Sequence, residues 1–97
     1  MNENQVVVEF TGISRVLTGQ SECSLPLPEG ADMSEVVKSI AHRYPSLLGE
    51  VIEKDGKRMI ATNLFSINGE KVLHEDELDY QPKKGDHLIL LSLLAGG

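Results

Sequence analysis

The chain has 97 residues, of which 40% are hydrophobic and only four are aromatic, and its formal net charge is −6. A chain of this length and apolar content is expected to form one domain with a core of its own. Its negative charge removes counterion release as a driving force for nucleic-acid binding, and it offers few rings for bases to stack on, so we expect no nucleic-acid partner.

The single cysteine, Cys23, excludes an internal disulfide framework and any site built from several cysteines. Residues 1–5 lack the basic and apolar regions of a secretory signal. No apolar run approaches the roughly 20 residues that span a bilayer. We therefore expect a cytoplasmic protein that does not bind a membrane.

The first third of the chain predicts a β-hairpin. Apolar and polar residues alternate over Val6–Phe10 and again over Cys23–Leu27, as in strands with one buried face. Ser14–Ser21, with Gly19, is predicted to be the turn between them. Pro26 cannot donate a backbone hydrogen bond to a ladder, which predicts that the second strand lies at a sheet edge.

One main helix is predicted to follow the hairpin. Asp32 and Glu35 form a capping pair at its start. An apolar stripe with helical spacing then contains Val37, Ile40, Ala41 and Tyr44. The helix should end at Tyr44, because Pro45 disfavours helical backbone in the residue before it. A second short helical segment is predicted over 47–52, and a turn over 55–57.

The second half predicts another hairpin and a late strand. Residues 64–67 and 71–73 flank Asn68-Gly69, the strongest short-range hairpin signal. Residues 74–78 are predicted to form an acidic loop and residues 82–86 a tight turn. The apolar run from Leu88 to Leu94 predicts a strand in the middle of the sheet. This order of elements predicts an α+β fold, a ubiquitin-like β-grasp in which one main helix crosses a mixed sheet.

The last strand runs into Ala95, Gly96 and Gly97 without a polar spacer. Glycine has no Cβ, so such an end can pass through a channel too narrow for side chains. Residues 93–97, fully extended, reach roughly 17 Å. We interpret them as a flexible tail on a single domain of residues 1–97, which presents the carboxylate of Gly97. A frayed terminus of small residues is the alternative.

The chain resembles the small sulfur-carrier proteins related to the molybdopterin-synthase small subunit and the thiamin sulfur carrier (MoaD/ThiS-like). The resemblance covers essentially the whole chain and rests on segments in a fixed order: Val6–Phe10, Thr11–Gly19, His42–Pro45, Phe65–Glu70, Lys84-Gly85-Asp86 and Ala95-Gly96-Gly97. The extra length between Tyr44 and Leu64 is similar to a longer branch that includes the sulfur carrier of cysteine biosynthesis. Many relatives have proline just before the terminal small residues, where this chain has Ser92-Leu93-Leu94, so the pathway stays open.

The chemistry of a C-terminal carboxylate requires a partner. Its pKa of about 3.3–3.7 keeps it anionic and a poor electrophile at neutral pH, so it must be activated before it accepts sulfur. The chain has no Gly-rich phosphate-binding motif, so we expect no bound cofactor and the use of ATP by a partner. The resemblance implies a MoeB/ThiF-like adenylating enzyme, a sulfur donor enzyme that converts adenylated Gly97 into a thiocarboxylate, and in some pathways a larger synthase subunit. It implies that the chain itself is a carrier and not an enzyme.

Partner binding is predicted on one face of the last strand. If Leu88 and Leu90 face the helix, the residues that alternate with them face away from it. Ile89 is then either exposed to a partner or buried within the domain. The residues predicted to contact a partner are Leu91, Leu93, Leu94 and Ala95.

The remaining reactive side chains are predicted to be structural. Cys23 alternates with leucines and should be a buried thiol rather than a nucleophile. His42, His74 and His87 lack the spacing of metal ligands and are predicted to be solvated or capping residues. Lys83-Lys84 is predicted to lie in a solvated turn.

Two other functions use the same features. The chain could be a protein modifier joined to lysines through Gly97, which needs the same activation. Alternatively, it is a β-grasp binding module whose terminus has no chemical role.

Overall fold

The computed structural model describes residues 3–60, 62–74 and 76–92. Its elements are β1 (Glu3–Phe10), α1 (Ile13–Thr18), β2 (Glu22–Pro28), α2 (Met33–Arg43), a 3₁₀ turn (Pro45–Leu47), β3 (Asn63–Ile67), β4 (Lys71–Leu73) and β5 (His87–Ser92). The strands form one sheet in the order β2-β1-β5-β3-β4. β5 lies parallel to β1 and antiparallel to β3, so the sheet is mixed. The predicted α+β, ubiquitin-like β-grasp fold is confirmed.

The core lies between α2 and one face of the sheet. α2 contributes five buried residues: Met33, Val36, Val37, Ile40 and Ala41. The strands contribute alternate residues: Val6, Val8, Phe10, Cys23, Leu25, Leu27, Phe65, Ile67, Leu73, Leu88 and Leu90. Each large apolar side chain buried in this way stabilises the fold by about 1.5–3 kcal/mol. Since the core residues of each strand lie on the side that faces α2, the opposite side of the sheet is not covered by a helix.

The two ends of α2 lie where the sequence predicts them. The Asp32 carboxylate accepts hydrogen bonds from the backbone N–H groups of Ser34 (3.0 Å) and Glu35 (3.3 Å). A further hydrogen bond from the Ser34 hydroxyl is the main cause that lowers the pKa of Asp32. At the other end the N–H of Tyr44 donates to the carbonyl of Ile40 at 2.7 Å, and the helix ends before Pro45.

Both predicted hairpins are present. β1 and β2 pair antiparallel, with Pro26 opposite Gln5, and β2 is an edge strand as predicted. In the turn between β3 and β4, Asn68 has φ 55° and Gly69 has φ 70°. The tight hairpin turns that match strand twist need positive φ at both central residues, which explains the Asn-Gly pair.

The prediction of a simple turn over 14–21 is wrong, because residues 13–18 form the short helix α1. The buried Ser14 side chain holds the start of the helix: its hydroxyl donates to the Thr11 carbonyl at 2.8 Å and accepts from the Thr11 N–H at 3.2 Å. Gly19, with φ 70°, closes its C-terminal end. The side chain of Val16 is 75% exposed, so α1 lacks the apolar stripe by which helices are predicted.

The predicted helix over 47–52 is also wrong. Only the 3₁₀ turn at Pro45–Leu47 forms, and Gly49 then adopts φ 85°, which ends helical backbone. Leu47, Val51 and Ile52 are nevertheless buried, and Ile52 forms an isolated bridge with Met59. These apolar residues belong to the core although their backbone follows an irregular path.

Candidate functional site

β5 lies at the centre of the sheet and is the last strand that the structure describes. It pairs with β1 from Val7↔His87 to Phe10↔Leu90, and with β3 from Ile67↔Leu88 to Asn63↔Ser92. A strand held on both sides cannot slip by one residue without moving its buried side chains out of the core. The position of Ser92, the last described residue of β5, is therefore fixed relative to β1 and β3.

Most of the predicted site residues follow Ser92 in the sequence. Gly97, Gly96, Ala95, Leu94 and Leu93 lie outside the described residues, so the roles predicted for them stay predictions. Leu91 is the predicted contact residue whose position the structure gives.

Leu91 lies on the side of the sheet opposite α2. Leu88 and Leu90 are 0% and 1% exposed in the core, whereas Ile89 and Leu91 are half-buried on the other side. The predicted alternation is confirmed, and Ile89 is not enclosed within the domain.

Neighbouring strands extend this apolar surface, which we call the open face. Leu64 lies opposite Leu91, and Ser66 lies opposite both Ile89 and Val72. Residues directly opposite on adjacent strands point to the same side. The open face is formed by Val7, Leu64, Val72, Ile89 and Leu91. Partly exposed apolar side chains gathered on one face of a sheet are typical of a partner-binding site.

A polar pair lies beside the apolar side chains of the open face. His87 Nε2 and Glu9 Oε1 are 2.8 Å apart, and each side chain is 40% exposed. The prediction that His87 is simply solvated or capping is therefore corrected to a half-buried residue paired with Glu9. The contact joins positions far apart in sequence and follows only from the parallel pairing of β1 with β5. A pair with this much solvent exposure adds little to the stability of the fold.

Asp86 anchors the beginning of β5 and was not identified from the sequence. It is 8% exposed, and its Oδ1 accepts from Asn68 Nδ2 at 3.0 Å while its Oδ2 accepts from the Lys83 N–H at 2.8 Å. Asn68 Oδ1 in turn accepts from the His87 N–H at 2.8 Å. The β3–β4 turn is thereby tied to the first residue of β5.

A pocket of about 610 Å³ lies at the end of β5, and we call it the exit pocket. It is lined by residues 11–13, Glu50, Thr62, Asn63 and Ser92. The Thr11 hydroxyl donates to the Leu90 carbonyl at 2.6 Å and so joins the end of β1 to β5 at this pocket. Sequence reasoning missed the pocket, because its walls come from the β1–α1 connection, the start of α1, the segment before β3, and the adjacent ends of β3 and β5, which only the tertiary fold brings together.

Asn63 is the buried polar residue of the exit pocket. It is 2% exposed, and its Nδ2 donates to the Ile60 carbonyl at 3.3 Å and to Thr62 Oγ1 at 3.4 Å. Its Oδ1 finds no hydrogen-bond donor within the part of the chain that the structure describes. A buried carbonyl oxygen without a hydrogen-bond donor is uncommon in native proteins.

The other candidate residues behave structurally. Cys23 is buried, as predicted, and burial is the main cause that raises the pKa of its thiol. His42 and His74 are exposed, as are Lys83 and Lys84. Within 3–60, 62–74 and 76–92, no group of three or more His, Cys, Asp or Glu side chains is placed to hold a metal ion. Over the same ranges, no helix combines the length and apolarity needed to cross a membrane.

Comparison with known proteins gives matches among solved structures. No protein-family model matches the chain, and no curated protein sequence matches it. The small archaeal modifier protein 1 of Methanosarcina acetivorans is 26% identical, with a TM-score of 0.75, and the match covers 100% of both chains. A putative molybdopterin converting factor subunit 1 from Pyrococcus furiosus is 25% identical, with a TM-score of 0.69, covering 92% of this chain and 97% of that one. SAMP1 of Haloferax volcanii has a TM-score of 0.81 at 17% identity, covering 97% of this chain and 100% of that one, which shows a shared fold.

Proposed function

We propose that this chain, a ubiquitin-like β-grasp protein of the sulfur-carrier type, presents the carboxylate of Gly97 to a partner enzyme that activates it with ATP. The observation that supports the proposal is the position of β5, the central strand of the sheet, whose last described residue, Ser92, is four residues before Gly96 in the sequence. In this role the chain is a co-substrate, and the bound nucleotide belongs to the partner.

The proposed reaction has three steps. The Gly97 carboxylate attacks the α-phosphorus of ATP and pyrophosphate leaves, which gives an acyl-adenylate. A persulfide sulfur on a sulfur donor enzyme then attacks the acyl carbon and AMP leaves. A second thiol cleaves the resulting S–S bond, which releases the thiocarboxylate and forms a disulfide between the two thiols. Adenylation is needed because the free carboxylate is an anion and a poor electrophile at neutral pH.

The open face and the tail divide the proposed work of docking. Leu91 and its apolar neighbours bind the surface of the partner. Leu93, Leu94 and Ala95 contact the partner along the channel that leads to its active site. Five extended residues reach roughly 17 Å, which is enough to place Gly97 beside a nucleotide while the folded part stays outside. Gly96 and Gly97 have no side chain to obstruct that approach.

The proposed recipient of the sulfur is a biosynthetic enzyme of molybdopterin, thiamin or cysteine formation, in some of these with a larger synthase subunit as a stable partner. The name of the Pyrococcus furiosus structure, a putative molybdopterin converting factor subunit, supports a cofactor pathway. The dependence on ATP places the proposed chemistry in the cytoplasm.

A second candidate is protein modification, in which the activated Gly97 forms an amide with a lysine of another protein. It is favoured by a specific observation, since three of the matched structures are named as small archaeal modifier protein 1 or SAMP1. Both candidates use the same activated carboxylate and differ in the nucleophile that attacks it.

Isolation of the chain from its host distinguishes the two candidates. For a carrier we expect intact-mass spectrometry to show a fraction in which sulfur replaces one terminal oxygen, and for a modifier we expect peptides with Gly97 linked to lysine. A chain that lacks Gly96 and Gly97 is the matched control and should show neither. If the intact chain shows neither product in cells with active sulfur metabolism, and the shortened chain supports growth equally well, the terminus has no chemical role and the proposal is wrong.

A further inference from the structure

The open face has an acidic edge on the side of β2. This strand buries every second residue over Cys23–Leu27 in the core, so Glu22 lies on the side of the sheet opposite α2. The strand register places Glu22 directly opposite Glu9 of β1, two positions from Val7 of the open face. Directly opposite residues have Cβ atoms about 4.5–5.5 Å apart. Two acidic side chains therefore lie next to each other beside the apolar surface.

The two acidic side chains differ in their contacts. Glu9 Oε1 is 2.8 Å from His87 Nε2. Glu22 is exposed and forms no ion pair within the part of the chain that the structure describes. Arg43 reaches β2 from α2, but its guanidinium donates to the Ser24 carbonyl at 3.0 Å. Since like charges directly opposite on adjacent strands destabilise a sheet, the position of Glu22 is not explained by the stability of the fold.

The charge on this side of the sheet has one sign. Among the described strand residues that face away from α2, none is Lys or Arg. Glu9, Glu22 and His87 also do not form a metal site, because no such group over 3–60, 62–74 and 76–92 is placed to hold a metal ion. The open face is therefore apolar in its centre and anionic at its β2 edge.

This distribution of charge selects among the possible occupants of the open face. A symmetric contact with a second copy would use the same surface on both sides, and that surface has no Lys or Arg to offer Glu22. Nucleic acids and anionic lipid surfaces are repelled by an acidic edge. A protein surface with an apolar centre and a basic side chain at its rim complements both parts of the face.

We propose that Glu22 is a recognition residue of the open face, which the activating enzyme pairs with a Lys or Arg at the rim of its docking surface. The inference rests on the proposed function and adds to it the charge of the partner and the residue that recognises this charge. The cation of the partner also lies near Glu9 and relieves the repulsion between the two carboxylates. A rim charge of this kind acts mainly on the rate of association and on the choice of partner.

The stability of the isolated chain gives the first measurement. Glu22→Gln keeps the size of the side chain and removes the charge opposite Glu9. We expect the urea midpoint of this variant to equal or exceed that of the unchanged chain, since a repulsion is removed. A lower midpoint would show that Glu22 supports the fold, which would overturn the inference.

Binding to the activating enzyme without ATP gives the second measurement. At low ionic strength we expect E22Q to raise the Kd about threefold, as for the loss of an exposed ion pair. E22K should raise it at least about tenfold, because it sets two cations against each other. Added salt should weaken binding of the unchanged chain more than binding of E22Q, since the proposed pair is screened.

The matched controls are E53Q and E53K, which make the same changes of charge at an exposed position outside the strands. They should change the Kd less than about twofold, because a charge far from the interface is screened. Equal effects of E22K and E53K, the same salt dependence for E22Q and the unchanged chain, or no binding of the unchanged chain would each overturn the inference.

ATP–pyrophosphate exchange separates this inference from the proposed function. We expect E22K to raise the KM for the chain with kcat unchanged, since the contact is made in the docked complex and not at the reacting carboxylate. A normal KM for E22K with normal exchange would overturn the role of Glu22 and leave the proposed function standing. If the unchanged chain binds the enzyme but is not adenylated, the proposed function fails, and the Kd values of E22K and E53K still decide the role of Glu22.

Discussion

Leu90 and Leu91 are adjacent residues with opposite environments. Leu90 is 1% exposed against α2, whereas Leu91 is half-buried on the open face opposite Leu64. The sequence already predicted this difference, because side chains alternate across a strand. The pair therefore allows stability and partner binding to be tested at neighbouring positions.

We expect Leu90→Ala to lower the free energy of unfolding by about 2–5 kcal/mol, since it leaves a cavity in the core. Leu91→Ala should cost about 1 kcal/mol or less, because the side chain keeps part of its contact with water. Urea denaturation of both variants measures the difference. Equal costs would show that the open face is as enclosed as the core.

Leu91→Asp tests the role of the same residue in docking. The variant should fold, and its ATP-dependent activation should fall at least about tenfold, because a carboxylate at the centre of an apolar interface loses hydration without gaining a partner. Initial rates with the activating enzyme give the measurement, and circular dichroism checks the fold. Unfolding of the variant would place Leu91 in the core, and unchanged rates would remove it from the interface.

Three weakly acidic groups make the stability depend on alkaline pH. Burial is the main cause that raises the pKa of Cys23 above its ordinary value of 9.0, and the pKa values of Tyr44 and Tyr80 above 10.0. A raised pKa in the folded state favours the neutral form, so the stabilisation is present below the unfolded pKa and is lost as the pH rises through the folded pKa.

The free energy of unfolding should therefore fall as the pH rises above 9.0, where an unfolded Cys23 releases its proton. Cys23→Ala should make this fall less steep, which separates the contribution of the cysteine from that of the two tyrosines. Urea midpoints from neutral to strongly alkaline pH give the measurement. A fall of equal steepness in the alanine variant would show that the thiol is not coupled to folding.

At the scale of elements, β5 is held at both of its ends. Asp86 and Asn68 tie its first residue to the β3–β4 turn, and the Thr11 hydroxyl ties Leu90 to the end of β1. The contacts fix β5 in the sheet up to Ser92, the residue that directly precedes the predicted tail. These contacts do not involve Leu91, but they fix the strand on which Leu91 lies.

We expect Asp86→Ala to lower the free energy of unfolding by about 1–3 kcal/mol, because it leaves Asn68 Nδ2 and the Lys83 N–H without their acceptor. Asp79→Ala, at an exposed position, is the control and should stay within about 0.5 kcal/mol. Denaturation gives the cost, and hydrogen exchange of the β5 amides shows whether the strand loosens locally. Similar values for both variants would mean that the Asp86 contacts are replaced by water at no cost.

The elements predicted correctly are those with a local signal. The Asp32 cap, the Tyr44-Pro45 stop and the Asn68-Gly69 turn each depend on a few adjacent residues. α1 was missed because it has no amphipathic pattern and its start is held by hydrogen bonds between Ser14 and Thr11. The path over 47–52 was missed because Ile52 forms a bridge with Met59, which no local pattern indicates.

The same reasoning explains which parts of the site the sequence revealed. The orientation of Leu91 follows from strand alternation alone. The His87–Glu9 contact and the exit pocket join strands that are neighbours only because β5 lies between β1 and β3. No pattern within a single segment could have placed Asn63 beside the end of β5.

At the scale of the whole molecule, the two faces of the sheet differ: one forms the core, and the other is proposed to bind a partner. One face packs on α2 and supplies the core, and the other face is apolar enough to bind a partner while remaining half-exposed. β5 contributes residues to both faces. The fold is compatible with the proposed role, because β5 is fixed at the centre of the sheet directly before the residues predicted to form the tail.

The central claim is that the Gly97 carboxylate is the group activated by ATP. The most direct test compares the free acid with a semisynthetic chain that ends in a carboxamide, measuring ATP–pyrophosphate exchange catalysed by the activating enzyme from the host. The amide leaves every contact of the folded body in place and removes only the nucleophilic oxygen. We predict exchange with the free acid and none with the amide, whereas equal exchange with both chains would contradict the account.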